Sequence, residues 1–243
     1  MRYSEAYFEQ VEGIVSKIEN SADDYEKIAT RIAQRLHDGG MIYTFGTGHS
    51  HLLALEVFYR AGGLARVYPI LNEDLMLHKS ATESSQYERT EGLAKGIFDQ
   101  YAVTDKDVMF IFSNSGINPL TIEMAECAKE KGALTVAVTN LNHSRPLTSR
   151  HKSGLKLYEI CDEVIDNFGV IGDACVITDK KDSICPTSTI SGSIILHTLV
   201  AMIVEISDAH GWDIEVLSSG NLPDKGAKSA AIVEKYKKVI KCL

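Results

Sequence analysis

The stretch Asp107 to Pro119, DVMFIFSNSGINP, constrains the chain more than any other. Val108 to Phe112 is a continuous apolar run, the pattern of a strand buried on both faces. It runs straight into Ser113-Asn114-Ser115-Gly116, and helix-forming sequence follows from Pro119. A buried strand that enters a helix through a small hydroxyl-rich loop gathers hydroxyls and backbone N–H groups at a helix N-terminus. The helix dipole favours an anion there. The local chemistry is that of a phosphate cradle.

The same design recurs upstream. MIYTF (Met41 to Phe45) reads as a strand, Gly46-Thr47-Gly48-His49-Ser50 as a loop, and His51 to Arg60 as a helix. GTGHS is not the dinucleotide fingerprint, because His51 stands where the third glycine of GxGxxG belongs. Further strands are expected at 65–71, 133–138 and 163–166, and helices at 84–101, 119–131 and, briefly, 155–161. Apolar strands alternating with helices predict an α/β fold, a parallel β-sheet of about five strands flanked by helices on both faces. Ligands bind such sheets beyond the carboxyl ends of the strands. Loops 46–50, 113–118 and 139–140 share that edge.

Helical additions flank this core. Apolar residues at three- and four-residue steps predict two helices across 3–38, closed by Gly39-Gly40. Residues 168–183 read as a hairpin-like insertion or a last edge strand. Pro186-Thr187-Ser188-Thr189 opens the most apolar helix, 190–208; after a loop at 217–223, a last helix spans 226–240. His197, Thr198 and Glu205 interrupt the apolar run Ile194 to Ile206, which argues against a membrane span. No repeat or Pro/Gly-rich linker divides the chain, so residues 1–243 are expected to form a single domain: helical pair 3–38, core 40–207, and C-terminal loop and helix 212–241.

A net charge of −8 argues against a nucleic-acid partner. Five cysteines without CxxC spacing read as reduced thiols in a cytoplasmic protein, and no metal or cofactor is expected from them.

Three motifs in this order, GTGHS, SNSGIN and PTSTISG, resemble the SIS (sugar isomerase) domain family over residues 40 to 207. The resemblance is to its phosphoheptose isomerases and N-acetylmuramic acid phosphate etherases. It implies a SIS-type, flavodoxin-like three-layer sandwich and a phosphorylated sugar as ligand. Ser113, Asn114, Ser115 and Gly116 match the family's phosphate loop, S-x-S-G-x-T, and Asn118 replaces its threonine. Gly46, Gly48 and Ser50 match the first loop, beside His49. Thr187, Ser188 and Thr189 lie where the family closes over its ligand.

The resemblance also implies chemistry. His197, in HTLVAMIVE, matches a histidine that serves as acid or base in phosphoheptose isomerases. By spacing from Ser50, Arg60 holds the place of a catalytic glutamate, and Glu56 that of a metal-binding histidine, so the heptose isomerase metal site is not reproduced. Glu88 falls near a second glutamate of the etherases. An aldose–ketose isomerase needs a phosphate anchor, a base to move a proton between adjacent carbons and an acid for ring opening. The candidate base is Glu56 or Glu88, with Glu83 third, and the acid is His197 or His78. The alternative is a non-catalytic phosphosugar-binding or sensing module. The resemblance implies a homodimer or homotetramer, with His49, His51 or His78 able to come from a neighbouring chain.

Overall fold

Strands apolar on both faces need two layers of helix to cover them. The computed structural model of the chain, which describes residues 2–221 and 226–243, supplies both. Helices α1 (Tyr3–Glu19) and α2 (Ala22–His37) turn Ile14, Ile18, Ile28 and Ile32 inward. Strand β1 (Ile42–Gly46) then leads through a 3₁₀ turn into α3 (His51–Glu56), and β2 (Val67–Pro69) follows. Helices α4 (Leu77–Tyr87) and α5 (Ala94–Phe98) precede the central strand β3 (Val108–Phe112). After it come α6 (Pro119–Glu130), β4 (Leu134–Thr139), the single turns α7 (Leu141–Ser144) and α8 (Leu157–Ile160), and β5 (Glu163–Asp166). An antiparallel hairpin of β6 (Ala174–Ile177) and β7 (Ser183–Pro186) leads to the long α9 (Ser188–His210), and α10 (Gly226–Tyr236) comes last.

The five principal strands form one parallel sheet in the order β2-β1-β3-β4-β5. Alternation along β3 divides the core. Val108, Phe110 and Phe112 pack with α1, α2, α3 and α9, whereas Met109 and Ile111 pack with α5, α6, α8 and α10. Every residue of β3 is buried. Truncating Phe112 to alanine should therefore cost about 3–5 kcal/mol.

Several elements depart from the sequence reading for tertiary reasons. The helix expected at 51–60 stops at Glu56; Tyr59 takes a left-handed backbone (φ 47°), and Gly62 turns its N–H to the Leu217 carbonyl. The expected helix 84–101 is two helices separated by residues 88–93, where Gly92 has φ 83° and donates to the Glu123 carboxylate. Helix α4 begins earlier than residue 84, at Leu77, and is kinked at Ser80. Strand 65–71 shortens to β2; of the two readings of 168–183, the hairpin-like insertion is the one observed, with strands at 174–177 and 183–186 outside the main sheet. The last helix ends at Tyr236, and residues 222–223 of the expected loop lie outside the described residues.

Helix α9 is long and apolar enough to cross a bilayer. One stripe of it, Ile195, Leu196, Leu199 and Ile203, is instead buried in the same core as α2 and the sheet. Its other face is left more open: Ile190 is exposed, as are Leu52 and Leu55 of α3, which packs against α9.

Candidate functional site

The strand order reverses direction between β1 and β3, and such a switch point opens a crevice at the carboxyl edge of the sheet. The loops that follow these two strands are the two hydroxyl-bearing loops. Gly46 ends β1 in such close quarters that a Cβ would lie 2.5 Å from the Ser50 carbonyl oxygen, so only glycine lets the loop fold back on itself. Gly48 has φ 56°, and the His51 ring closes the turn with Nδ1 2.6 Å from the Gly48 oxygen. His49 points outward and is exposed. Ser50 faces a small cavity shared with Ser113, Asn114, Asn167, Ser188 and Thr189.

The second loop is held from behind. The Ser113 hydroxyl oxygen accepts the Gly116 N–H at 3.1 Å, which leaves its O–H free to donate. The Asn114 carbonyl accepts the Asn140 N–H at 3.1 Å. Gly116 has φ 61° with Thr139 Oγ1 only 3.0 Å from where a Cβ would stand. Ser115 is half-buried. The cavity is thus lined by hydroxyls and two amides carried on four separate segments: the loops after β1, β3 and β5 and the start of α9.

Asn118, expected at the ligand, commits both ends of its side chain inside the protein. Its Nδ2 donates to Glu88 Oε1 at 2.7 Å, and its Oδ1 accepts from the Arg150 guanidinium at 2.7 Å. An amide can bridge a carboxylate and a cation in this way because it carries both a donor and an acceptor. Glu88 Oε2 in turn accepts from the Thr47 hydroxyl at 2.8 Å. Glu88 therefore straps the loop after β1 to the loop after β3.

The other acid–base candidates meet elsewhere. Glu56 Oε1 stands 2.9 Å from His197 Nε2 and 2.9 Å from the Arg60 guanidinium. Glu56 lies six residues beyond Ser50, roughly 9 Å along the chain's helical rise, and His197 eight beyond Thr189, roughly 12 Å. The pair thus sits on the α3–α9 face, displaced from the cradle. Glu83 and His78 are exposed on α4.

At the start of α9 an internal carboxylate takes the helix N-terminus. Asp173 Oδ1 accepts the N–H groups of Thr187 (3.1 Å) and Ser188 (2.9 Å), and Oδ2 accepts the Ser188 hydroxyl at 2.6 Å. Ser188 is thereby largely committed. Thr187 is buried with its hydroxyl unpartnered, and Thr189 faces the cavity.

A metal ion does not fit the Glu56–His197 pair: two donors are too few, and Glu56 already carries the Arg60 cation. Among the described residues no group of three or more His, Cys, Asp or Glu is placed to hold one. Burial pushes the Cys161 thiol up to about 12 and raises Cys127 and Cys175, which disfavours their thiolates.

Sequence reasoning placed Thr47 and Asn140 in loops at the ligand edge without naming them as site residues, and passed over Arg150, Asn167 and Asp173. A usable signal existed for Asn140 and Asn167, since each follows the last residue of a parallel strand at the ligand-binding edge. Nothing local marked Arg150 or Asp173.

The sequence matches the SIS domain over residues 6–140. It is 42% identical over 240 residues to a UPF0309 protein of Geobacillus thermodenitrificans, covering 98% of this chain and 96% of the relative. A UPF0309 protein of Listeria monocytogenes serotype 4b is 40% identical over 227 residues, covering 93% of this chain and 92% of that one. A phosphoheptose isomerase from Francisella tularensis has a similar fold, with a TM-score of 0.53 at 16% identity, covering 83% of this chain and 96% of that one.

Proposed function

The chain belongs to the SIS domain family, and on that premise we propose that it binds a phosphorylated sugar at the β1–β3 switch point and isomerises it between aldose and ketose forms. One observation carries the reading: the Ser50, Ser113 and Thr189 hydroxyls and the Asn114 amide line one cavity at the N-terminus of α9, on the loop that leads into α6. Neutral donors and a helix dipole suit a phosphate without a resident cation. The likeness in fold to a protein named as a phosphoheptose isomerase agrees with this ligand class.

Glu56 and His197 are the proton-transfer pair of this proposal. Among the described residues theirs is the one hydrogen bond that joins an imidazole to a carboxylate. The phosphate anchors the sugar, and the open chain reaches along α3 and α9 so that the carboxylate moves the proton between C1 and C2 while the imidazole assists ring opening. A second reading, a non-catalytic phosphosugar sensor, is favoured by Arg60, whose guanidinium engages the Glu56 oxygen that a base would use.

The proposal extends to assembly and place. The exposed apolar residues Ile190, Leu52 and Leu55 lie on α9 and α3, the two helices that carry His197 and Glu56, and a second copy of the chain covering them would make a homodimer or homotetramer. The protein is read as one cytoplasmic SIS unit acting on a small molecule, with no nucleic acid or membrane partner.

A thermal-shift screen over pentose, hexose, heptose and amino-sugar phosphates tests the ligand class. A ligand at 100 times its Kd stabilises the folded state by about 2.7 kcal/mol, so a selective rise in Tm is expected. A flat response to every sugar phosphate overturns the binding claim. Binding without interconversion of any bound sugar leaves the sensor.

A further inference from the structure

We infer that Asn167 is a positioning residue that fixes which end of the Asn114 amide faces the cavity, so that the cradle presents an N–H donor and selects an anion. The anion part rests on the phosphate reading above; the orientation does not.

Amide oxygen and nitrogen are told apart by their partners. Here the series of partners starts from a group that cannot be reversed. The backbone N–H of Gly169 is a donor, and the Asn167 side-chain atom 3.0 Å from it is therefore Oδ1. The Asn167 Nδ2 then points the opposite way and donates across 2.8 Å to Asn114, which fixes the receiving atom as Asn114 Oδ1. Asn114 Nδ2 is left on the other side, and among the described residues nothing accepts from it.

Neither partner is free to drift. Asn167 is 3% exposed, and its N–H donates to the Thr139 carbonyl at 2.9 Å. The backbone that follows is pinned by Asn140, whose own amide is set the same way: the His143 N–H gives to Oδ1 at 3.0 Å, and Nδ2 gives to the Val170 carbonyl at 2.9 Å. Two fixed backbone donors, at Gly169 and His143, thus set the polarity of the wall. Asn114 and Asn167 both line the cavity with Ser50, Ser113 and Thr189. Turned round, Asn114 would offer an oxygen to a phosphate, replacing an attraction with a repulsion.

Asn167→Asp keeps the acceptor for Gly169 but replaces the donor with a second acceptor, so Asn114 must reverse. Asn167→Ala removes both constraints. With inorganic phosphate as the probe, calorimetric titration should show affinity reduced at least about tenfold by Asn167→Asp, the scale of one hydrogen bond to a charged group, and less by Asn167→Ala. The introduced carboxylate also repels phosphate directly, so orientation is read separately from the Asn side-chain amide NMR signals. In the wild type the Asn114 NH₂ should exchange rapidly with water and shift when phosphate binds, while the Asn167 NH₂ is protected. In Asn167→Asp the Asn114 NH₂ should become the protected one. A protected Asn114 NH₂ in the wild type, or a bound phosphate that leaves it unmoved, overturns the inference. If the wild type binds no phosphate, the anion reading of the cavity fails, and amide exchange alone decides the orientation.

Discussion

The Glu88 carboxylate accepts the Asn118 amide at 2.7 Å, which joins a candidate base to a candidate phosphate contact in one internal link. With Thr47 on one side and Arg150 on the other, four side chains tie four connecting segments together. Such a link predicts a structural phenotype. Glu88→Ala leaves the buried Asn118 Nδ2 without its acceptor and should cost about 1–3 kcal/mol. Glu88→Gln keeps one oxygen for Asn118, and the Thr47 hydroxyl can rotate to accept from the new amide, so stability should change little. Thermal unfolding of the two variants checks this. If Glu88→Gln is stable and binds the sugar but has lost all turnover, Glu88 is the base after all.

The pair formed by Glu56 and His197 predicts the opposite phenotype. Both are partly exposed, so Glu56→Gln and His197→Ala should leave the fold intact. Each should lower turnover about a hundredfold or more, the usual scale for a general acid or base. Phosphate affinity should stay within about twofold, because roughly 9–12 Å of helix separates the pair from the cradle. Single-turnover rates alongside equilibrium titration separate the two effects. Unchanged turnover in both variants would remove them from the mechanism.

The apolar run VMFIF and the polar loops at Gly46 and Ser113 could be read directly, because burial on both faces suppresses alternation and parallel strands aim their loops at one edge. Partnerships were not legible in the same way. Asn114 and Asn167 lie 53 residues apart and Glu88 and Asn118 lie 30 apart, with no periodicity to connect them. The same blindness explains the misread helix 84–101. Gly92 stands inside it, and it breaks where Gly92 and Glu88 are drawn to groups on α6 and the cradle loops. The hydroxyls expected at 187–189 were present, but the carboxylate that engages Ser188 comes from the hairpin segment.

That carboxylate makes Asp173 the cap of α9 from outside the helix. Removing it exposes the first N–H groups of the longest helix and should cost about 1–2 kcal/mol. In a chain of this size each kcal/mol lowers Tm by about 2–4 °C. Asp173 also has a left-handed backbone, φ 71°. Asp173→Gly should therefore lose the cap but relieve the backbone, and Asp173→Ala should lose the cap and keep the strain. The expected order of Tm is wild type, then Gly, then Ala; a Gly variant below Ala would show that the backbone is not strained.

Acid stability should depend on two carboxylates. Burial alone would raise Asp162, but the Thr135 N–H at 3.0 Å, the Lys129 ammonium at 2.9 Å and the Thr135 hydroxyl at 2.7 Å outweigh it and hold the group below its ordinary range. Burial likewise opposes, and the Tyr236 hydroxyl and Lys235 overcome, a shift at Glu215, which is also lowered. A carboxylate that is more acidic when folded takes up its proton first in the unfolded chain. Its stabilisation is therefore complete above the unfolded value, about pH 4, and is lost as pH falls through the lower folded value. Asp162→Asn and Glu215→Gln should each lower Tm at pH 7, and the gap to wild type should close as the pH is taken below 4. A gap that stays constant down to pH 3 would mean that these substitutions act through shape and hydrogen bonding alone, not through the charge.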